Sequence, residues 1–499
     1  MSRSTRLFQR SVVFNALFAL EAGSMFLIDI ALAAALGLGA RSDILYAAWS
    51  LPLTIGRGAF QSLTNSLIGL FSEGVEESAI FSQTLTVIGI VSFVAALLMS
   101  LTSRWWFPLS IPGATAETRL AGTSLAAILA WLIAFLALAE TQRAIYYRKD
   151  NNYVPSLARL VGAVVSIALI MLAAREQNLA LAAYGLVAGA AAEMVVGFAG
   201  LARMGQRFRF LWPNAVELRR MTRVVGLPLL GQGVLIGAGM AERAIASYLG
   251  PGAVTAITYA FRIFNVLERF IFRGFVISTI QTYAAGLAGN WRRDMRLLVL
   301  ISVPIMVVFV VLPAPMIAIA FERGRFTAES TGMVALALQA YALAIPIIAL
   351  NRIPYALAFA QTRSRELFIY AVIFSVTLVT AEILMVAAGL TLEAFGLAYA
   401  LAIALATLWI YPKARVDEIR NMWTVKEALR FAGVGLVTWA GTAAIVRALQ
   451  YVLDGWRWAP WGVVMAGGAS SLLLLVFAAY VLRVPEAGEV ARLLRGGRR

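Results

Sequence analysis

The chain contains no cysteine and no histidine. The first absence removes disulfides and thiol catalysis; the second removes the commonest metal ligand and the commonest acid–base group near neutral pH. Charge is sparse too. Only 14% of the 499 residues are Asp, Glu, Lys or Arg, and no polar stretch is long enough to fold alone, so no soluble domain is expected. There is no phosphate-cradling glycine loop, no carboxylate pair at metal-ligand spacing and no nucleophile beside a base. The reading is therefore not an enzyme: no catalytic residue, no metal, no cofactor. The Gly-Leu-Gly at 37–39 is read as a turn, because G-x-G alone is too weak to mean nucleotide binding. A cleavable signal peptide is not expected, since the first apolar segment lacks a short core with a cleavage site behind it.

What the chain has is apolar length. It is 61% hydrophobic with a mean hydropathy of +0.82, the composition of an all-α polytopic membrane protein. Fourteen spans are expected, near 11–36, 44–71, 79–101, 118–140, 155–174, 179–202, 224–249, 254–287, 297–321, 331–361, 367–389, 394–411, 431–451 and 460–482. With that count, about 27 basic loop residues fall on one side against 6 on the other, which places both termini in the cytoplasm. The net charge of +16 is read as topology-setting loops touching anionic membrane lipids, not as nucleic-acid binding. The expected organisation is an N-terminal lobe of six spans (1–205), a basic cytoplasmic connector (206–223) and a C-terminal lobe of six spans (224–411). An amphiphilic connector, a last helix pair and a basic tail make up 412–499.

One stretch organises the rest. Residues 29–60 hold the end of an apolar helix, the Gly37-x-Gly39 turn and a second apolar helix carrying Arg57. A charge there costs roughly 2.5–3.5 kcal/mol on insertion scales, so Arg57 should face protein or water. Ser50, Thr54, Arg57, Gln61 and Thr64 or Asn65 recur at helical spacing as one polar stripe, with Pro52, Gly56 and Gly58 permitting a bend. The stretch returns 213 residues later. Leu36-Gly37-x-Gly39-Ala40 lands on Leu249-Gly250-x-Gly252-Ala253, Tyr46-Ala47 on Tyr259-Ala260, and Asp29 on Glu242. The second copy has its own stripe of Thr255, Thr258, Arg262, Asn265 and Arg269. Internal repeats of this kind place a transporter's substrate site where the halves meet. Arg57 and Arg262 have no obvious local partner and are read as cavity cations. Glu193 and Glu382 are read as structural hydrogen-bonding acids.

These residues resemble a known family. LGLGARSDILYAAWSLP at 36–52 resembles the early signature of the MviN/MurJ family, the lipid II flippases of the multidrug/oligosaccharidyl-lipid/polysaccharide exporter superfamily, with Gly37, Gly39, Asp43, Leu51 and Pro52 at the matching places. FERGRFTAEST at 321–331 is similar to the family's periplasmic F-x-x-G-x-F-T stretch, and Tyr259-Ala260-x-Arg262 to the start of its eighth span. The resemblance implies two pseudo-symmetric six-helix lobes enclosing a cationic cavity, and a C-terminal helix pair forming a groove for a lipid tail. It implies Arg57, Arg262 and Asp43 as substrate-binding residues, joined by Gln61, Asn265 and Arg269 from the two stripes. The family's two further arginines in span 1 are replaced here by Ala22 and Ile28, so the cavity is expected to be less basic.

The function expected is a flippase for a polyprenyl-pyrophosphate-linked glycan, lipid II or a related cell-envelope or exopolysaccharide precursor, working by alternating access in the cytoplasmic membrane. Its partners would be that lipid-linked glycan, membrane lipids and other cell-envelope biosynthesis proteins. Two alternatives stand beside it. One is an ion-coupled exporter of small amphipathic cations from the same superfamily, binding through Glu21, Asp29 and Glu242; Asp29 and Glu242 are also the coupling candidates of the flippase reading. The other is a non-transporting scaffold that binds lipid-linked glycans.

Overall fold

The structure is a computed structural model describing residues 21, 23–60, 77–149, 151, 153–206, 208–266, 291–361, 363–414, 424–453, 455–456, 458–486 and 488. Among the described residues every regular element is helical. The first half of the chain gives α1 (Gly23–Leu36), α2 (Ala40–Leu53), α3 (Glu77–Leu101), α4 (Ser103–Ser110), α5 (Ala116–Leu129), α6 (Leu132–Arg148), α7 (Tyr153–Glu176), α8 (Leu179–Arg203) and α9 (Ala215–Ala246). The second gives α10 (Ala253–Val266), α11 (Trp291–Val311), α12 (Pro313–Phe321), α13 (Ala328–Ala342), α14 (Ile345–Ala360), α15 (Ser364–Ala387), α16 (Glu393–Ile410), α17 (Val425–Val452) and α18 (Ala459–Val481).

Among the described residues nine helical segments, with α5 and α6 counted together, are long and apolar enough to cross a membrane, or ten if α13 and α14, bent by 47° at their junction, make one span. These ten match the third to sixth and ninth to fourteenth expected spans. The other four, 11–36, 44–71, 224–249 and 254–287, fall partly on residues outside the described set or on residues of α9 whose side chains are not described. Two expected loop residues prove to be helical and buried. Arg143, expected just beyond the fourth span, lies on α6, which runs on to Arg148; Arg296, expected after the eighth, lies on α11. Charge was a misleading exit signal at both places because each guanidinium has carboxylates to pair with.

The chain divides into two compact units: Met1–Thr255 with Arg323–Phe326, and Ala256–Glu322 with Thr327–Arg499. In the first, α7 and α8 form a tight antiparallel pair. A Cβ on Gly162 would meet the Gly189 carbonyl at 2.6 Å, and one on Gly189 would meet the Ser166 hydroxyl at 2.0 Å. Without a hydrophobic driving force between helices in lipid, such small-residue contacts are what holds them together. Phe81, Leu85 and Ile88 of α3 pack with Ile133, Ala137 and Tyr146 of α6. In the second unit Phe261, Phe264, Tyr341 and Tyr399 form an aromatic cluster with ring centroids 5.4–6.1 Å apart. The last helix pair is pinned through Leu312, Val446 and Val463, and by the Ser471 hydroxyl donating to the Pro304 carbonyl at 3.3 Å. Arg296 adds an ionic tie, 2.6 Å from Glu427 at the start of α17 and 3.5 Å from Glu486 beyond α18.

The repeat is visible in the backbone. Gly37 and Gly250 both have positive φ, 66° and 101°, and helices begin at Ala40 and Ala253, 213 residues apart. Tyr46 and Tyr259 are both fully buried. The 321–331 stretch has structural reasons for its residues. Phe321 and Phe326 are buried pegs, and Thr327 caps α13 by accepting from the Ser330 amide. Gly324 (φ 62°) would put a Cβ 2.3 Å from the Ala34 carbonyl.

Candidate functional site

The bend expected around Arg57 is a π-helical turn, Thr54–Ala59, following Pro52. Single π turns inside helices are frequent at functional sites because they re-aim a side chain. Gly56 lets this turn lie against α6: a Cβ there would sit 3.0 Å from both the Ile133 Cα and the Leu132 carbonyl. The stripe's hydroxyls turn inward on their own helix. Ser50 donates to the Tyr46 carbonyl and Thr54 to the Ser50 carbonyl, the latter at 2.7 Å. Arg57 is thus the one described member of that stripe whose side chain reaches beyond its own helix to another. Gln61, Thr64 and Asn65 lie outside the described residues.

Arg57 is not an unpaired cation. Its Nη2 donates to Glu193 Oε2 at 2.7 Å, and Nη1 lies 4.0 Å from Glu140 Oε1. Around it is a buried cluster of three guanidiniums and three carboxylates, drawn from α2's continuation, α6, α7 and α8 and from Glu21 just before α1. Arg159 reaches Glu21 and Glu140 at 2.9 Å each and Glu193 at 3.4 Å. Arg143 reaches Glu21 at 3.2 Å, Glu193 at 3.3 Å and Glu140 at 3.7 Å. The Ser156 hydroxyl donates to the other Glu21 oxygen at 2.9 Å. Formal charges cancel, which is how six ionisable groups persist where a single one would be strongly disfavoured. The pairing is uneven: Arg57 Nε and Nη1 have no hydrogen-bond partner among the described residues. Beside them is a cavity of about 30 Å³, lined by Ser24, Trp49, Arg57, Arg159, Ser166 and Glu193 among others. That is room for a water or two.

The other site residues fall in different places. Asp29 is buried and accepts from the Tyr46 hydroxyl at 3.0 Å. Asp43 is buried and accepts three hydrogen bonds: from the Gly252 amide at 2.6 Å, the Thr255 amide at 2.8 Å and the Thr255 hydroxyl at 2.6 Å. Its carboxylate caps the start of α10, where orphan amides and the helix dipole favour an anion. Thr255, first of the second stripe, is consumed by this contact. Arg262 and Asn265 are half-buried on α10, Asn265 donating to the Phe261 carbonyl at 3.1 Å. Glu242 is half-buried near the end of α9; Arg269 is outside the described residues. Glu382 is fully buried on α15.

Sequence reasoning picked out Glu21, Arg57 and Glu193 but did not join them, and it missed Glu140, Arg143 and Arg159 as members of a site. A signal was present: Glu140 and Arg143 are three apart on a helix, and Arg159 falls four residues inside its expected span.

Three comparisons bear on this chain. The family model described as lipid II flippase MurJ matches residues 32–453. A protein of Rhizobium meliloti (strain 1021), described as "Probable lipid II flippase MurJ", is 24% identical over 376 residues, covering 69% of each chain. Among solved structures, one titled "Lipid II flippase MurJ, inward closed conformation" superposes with a TM-score of 0.76 at 16% identity, covering 94% of this chain and 98% of that one. An inward-facing multidrug resistance MATE family transporter of the MOP superfamily gives 0.63 at 16% identity, covering 82% and 95%. At such identities the superpositions speak for the fold.

Proposed function

The chain belongs to the MurJ family of lipid II flippases, and from that premise we propose that it moves a polyprenyl-diphosphate-linked glycan, lipid II or a close relative, across the cytoplasmic membrane. The observation that carries the reading is the family match running from residue 32 to 453, through both copies of the repeat. The physical demand fits the residues. A diphosphate cannot cross hydrocarbon bare, and a guanidinium offers it a planar pair of donors. Two of Arg57's guanidinium nitrogens, Nε and Nη1, make no hydrogen bond among the described residues. Arg262 is proposed as its counterpart on the second repeat, with Asn265 supplying hydrogen bonds to the head group. Gln61 and Arg269, further along the two stripes of the sequence, are proposed to add head-group contacts.

Movement would follow alternating access, with both termini on the cytoplasmic side as the basic loops demand. In the absence of an ATP-binding motif, the drive is the membrane potential, an ion gradient or consumption of the glycan outside. Cation export has less support. Of the carboxylates it would use, Glu21 is held by two arginines and a serine, and Asp29 by a tyrosine.

The experiment is transport of a fluorescent lipid-linked disaccharide-peptide in proteoliposomes, alongside rescue of a strain depleted of its lipid II flippase. Transport together with rescue is expected. Purified, folded protein that does neither would overturn the proposal.

A further inference from the structure

Glu193 sits where a transporter of anions would least be expected to keep a carboxylate: directly on the guanidinium proposed to hold the substrate. Its two oxygens do different things. Oε1 is held by Arg143 at 3.3 Å and Arg159 at 3.4 Å, while Oε2 takes the 2.7 Å contact with Arg57. Arg57 is therefore a partner that Glu193 can lose. If its guanidinium swings away, Glu193 keeps two cations on Oε1 and is not left a bare buried charge, the situation that makes breaking most buried pairs so unfavourable. The converse does not hold. Among the described residues, the carboxylates paired with Arg57 are Glu193 and, at 4.0 Å, Glu140, which is itself 2.9 Å from Arg159. Arg57 also sits on the π turn, is the most exposed of the three arginines, and has no hydrogen bond at Nε or Nη1 among the described residues, beside the cavity that it and Glu193 line.

We propose that Glu193 is an internal counter-anion for Arg57, which the substrate's diphosphate displaces on binding and which reclaims Arg57 to release it. This rests on the flippase reading above and adds a turnover device to it. A guanidinium free of any counter-anion would hold a diphosphate tightly, and tight binding that is equal before and after transfer slows a carrier. A resident carboxylate weakens the bound state by the strength of the contact the anion must replace. Glu193 is thus a positioning residue, acting through Arg57. Arg143 and Arg159, themselves paired with Glu21 and Glu140, keep it in place through the exchange.

The consequence has an unusual sign. Glu193→Gln leaves an amide oxygen able to accept from Arg143 and Arg159 but removes the charge opposing the substrate. The variant is expected to bind a polyprenyl diphosphate about tenfold more tightly, the size of one charge-assisted hydrogen bond no longer given up. In proteoliposomes it is expected to show a lower KM together with a lower kcat, the pattern of a removed ground-state penalty. The tightening is expected to vanish in the Arg57→Gln/Glu193→Gln double variant. Glu193→Asp keeps the charge but retracts it by one methylene, and a smaller shift in the same direction is expected; it carries the test if the Gln variant does not fold. Unchanged or weaker diphosphate binding in folded Glu193 variants, with wild type binding normally, would overturn the counter-anion and leave the flippase reading intact. A wild-type protein that binds no polyprenyl diphosphate would overturn both.

Discussion

The two copies of the repeat share a scaffold and differ in their charges. Both place a positive-φ glycine before a helix that starts at an alanine, and both bury a tyrosine six residues on. At the position of Asp43, which caps the second copy's helix, the second copy has Ala256. Arg57 of the first copy lies in a compensated cluster of six charges on a π turn, whereas Arg262 lies within a regular α-helix. What the copies share is the turn and its packing. What they do not share is the chemistry, so the repeat predicts shape better than it predicts role.

The largest effect that should separate the copies is at the two glycines. A Cβ on Gly37 would lie 2.5 Å from the Arg325 carbonyl, in addition to the strain of φ 66°, while Gly250 has open space around it. Gly37→Ala is expected to abolish accumulation of folded protein. Gly250→Ala should lose only the backbone penalty of roughly 1–3 kcal/mol for a side chain at φ 101°, ψ 176°. Thermal unfolding of the two purified variants, or the failure to purify one, checks this; equal stabilities would break the distinction.

Next is the unshared acid. Asp43→Ala removes an anion that accepts three buried hydrogen bonds at a helix start, and should destabilise by roughly 2–3 kcal/mol. Asp43→Asn, with one carbonyl oxygen left to accept, should lose less. A protein whose melting is unmoved by Asp43→Ala would show that the cap is unimportant.

Smaller still is the acid that both copies keep. Asp29→Asn retains an oxygen that accepts from Tyr46, and Tyr46→Phe removes only that donor, so each should shift stability by about 1 kcal/mol or less. If Asp29 couples transport to protons, Asp29→Asn should also flatten the pH dependence of flipping, which a purely structural acid would leave alone.

How much of this could be read from the chain depends on whether the signal is local. Gly37, Gly250 and the buried tyrosines announced themselves, because a turn and a helix start are decided within a few residues. The ten spans that can be compared were legible as apolar runs, and the family signature at 36–52 fell where the turn and α2 are found. The partners of Arg57 were not legible. Glu193 is 136 residues away on α8, and it comes within reach because the π turn lies on α6 through Gly56 while α6 meets α8 at Gly197, beside Gln142 and Tyr146. Arg143 was misread for the same reason: basic residues near a span end ordinarily mark the water side, and only the tertiary fold supplies the carboxylates that let this one stay buried. The hydrogen-bond partners of Asp43 were likewise invisible, since its donors are about 210 residues further on.

The central claim is that Arg57 meets the substrate's diphosphate, and it is tested most directly by flipping of a fluorescent lipid-linked sugar in proteoliposomes by Arg57→Ala and Arg57→Lys. Arg57→Ala is expected to fold and to stop transport, since Glu193 keeps Arg143 and Arg159 without it. Arg57→Lys should restore transport only in part, because lysine keeps the charge but loses the bidentate fork. Wild-type transport by a folded Arg57→Ala protein would contradict the account and leave the charge cluster as structure alone.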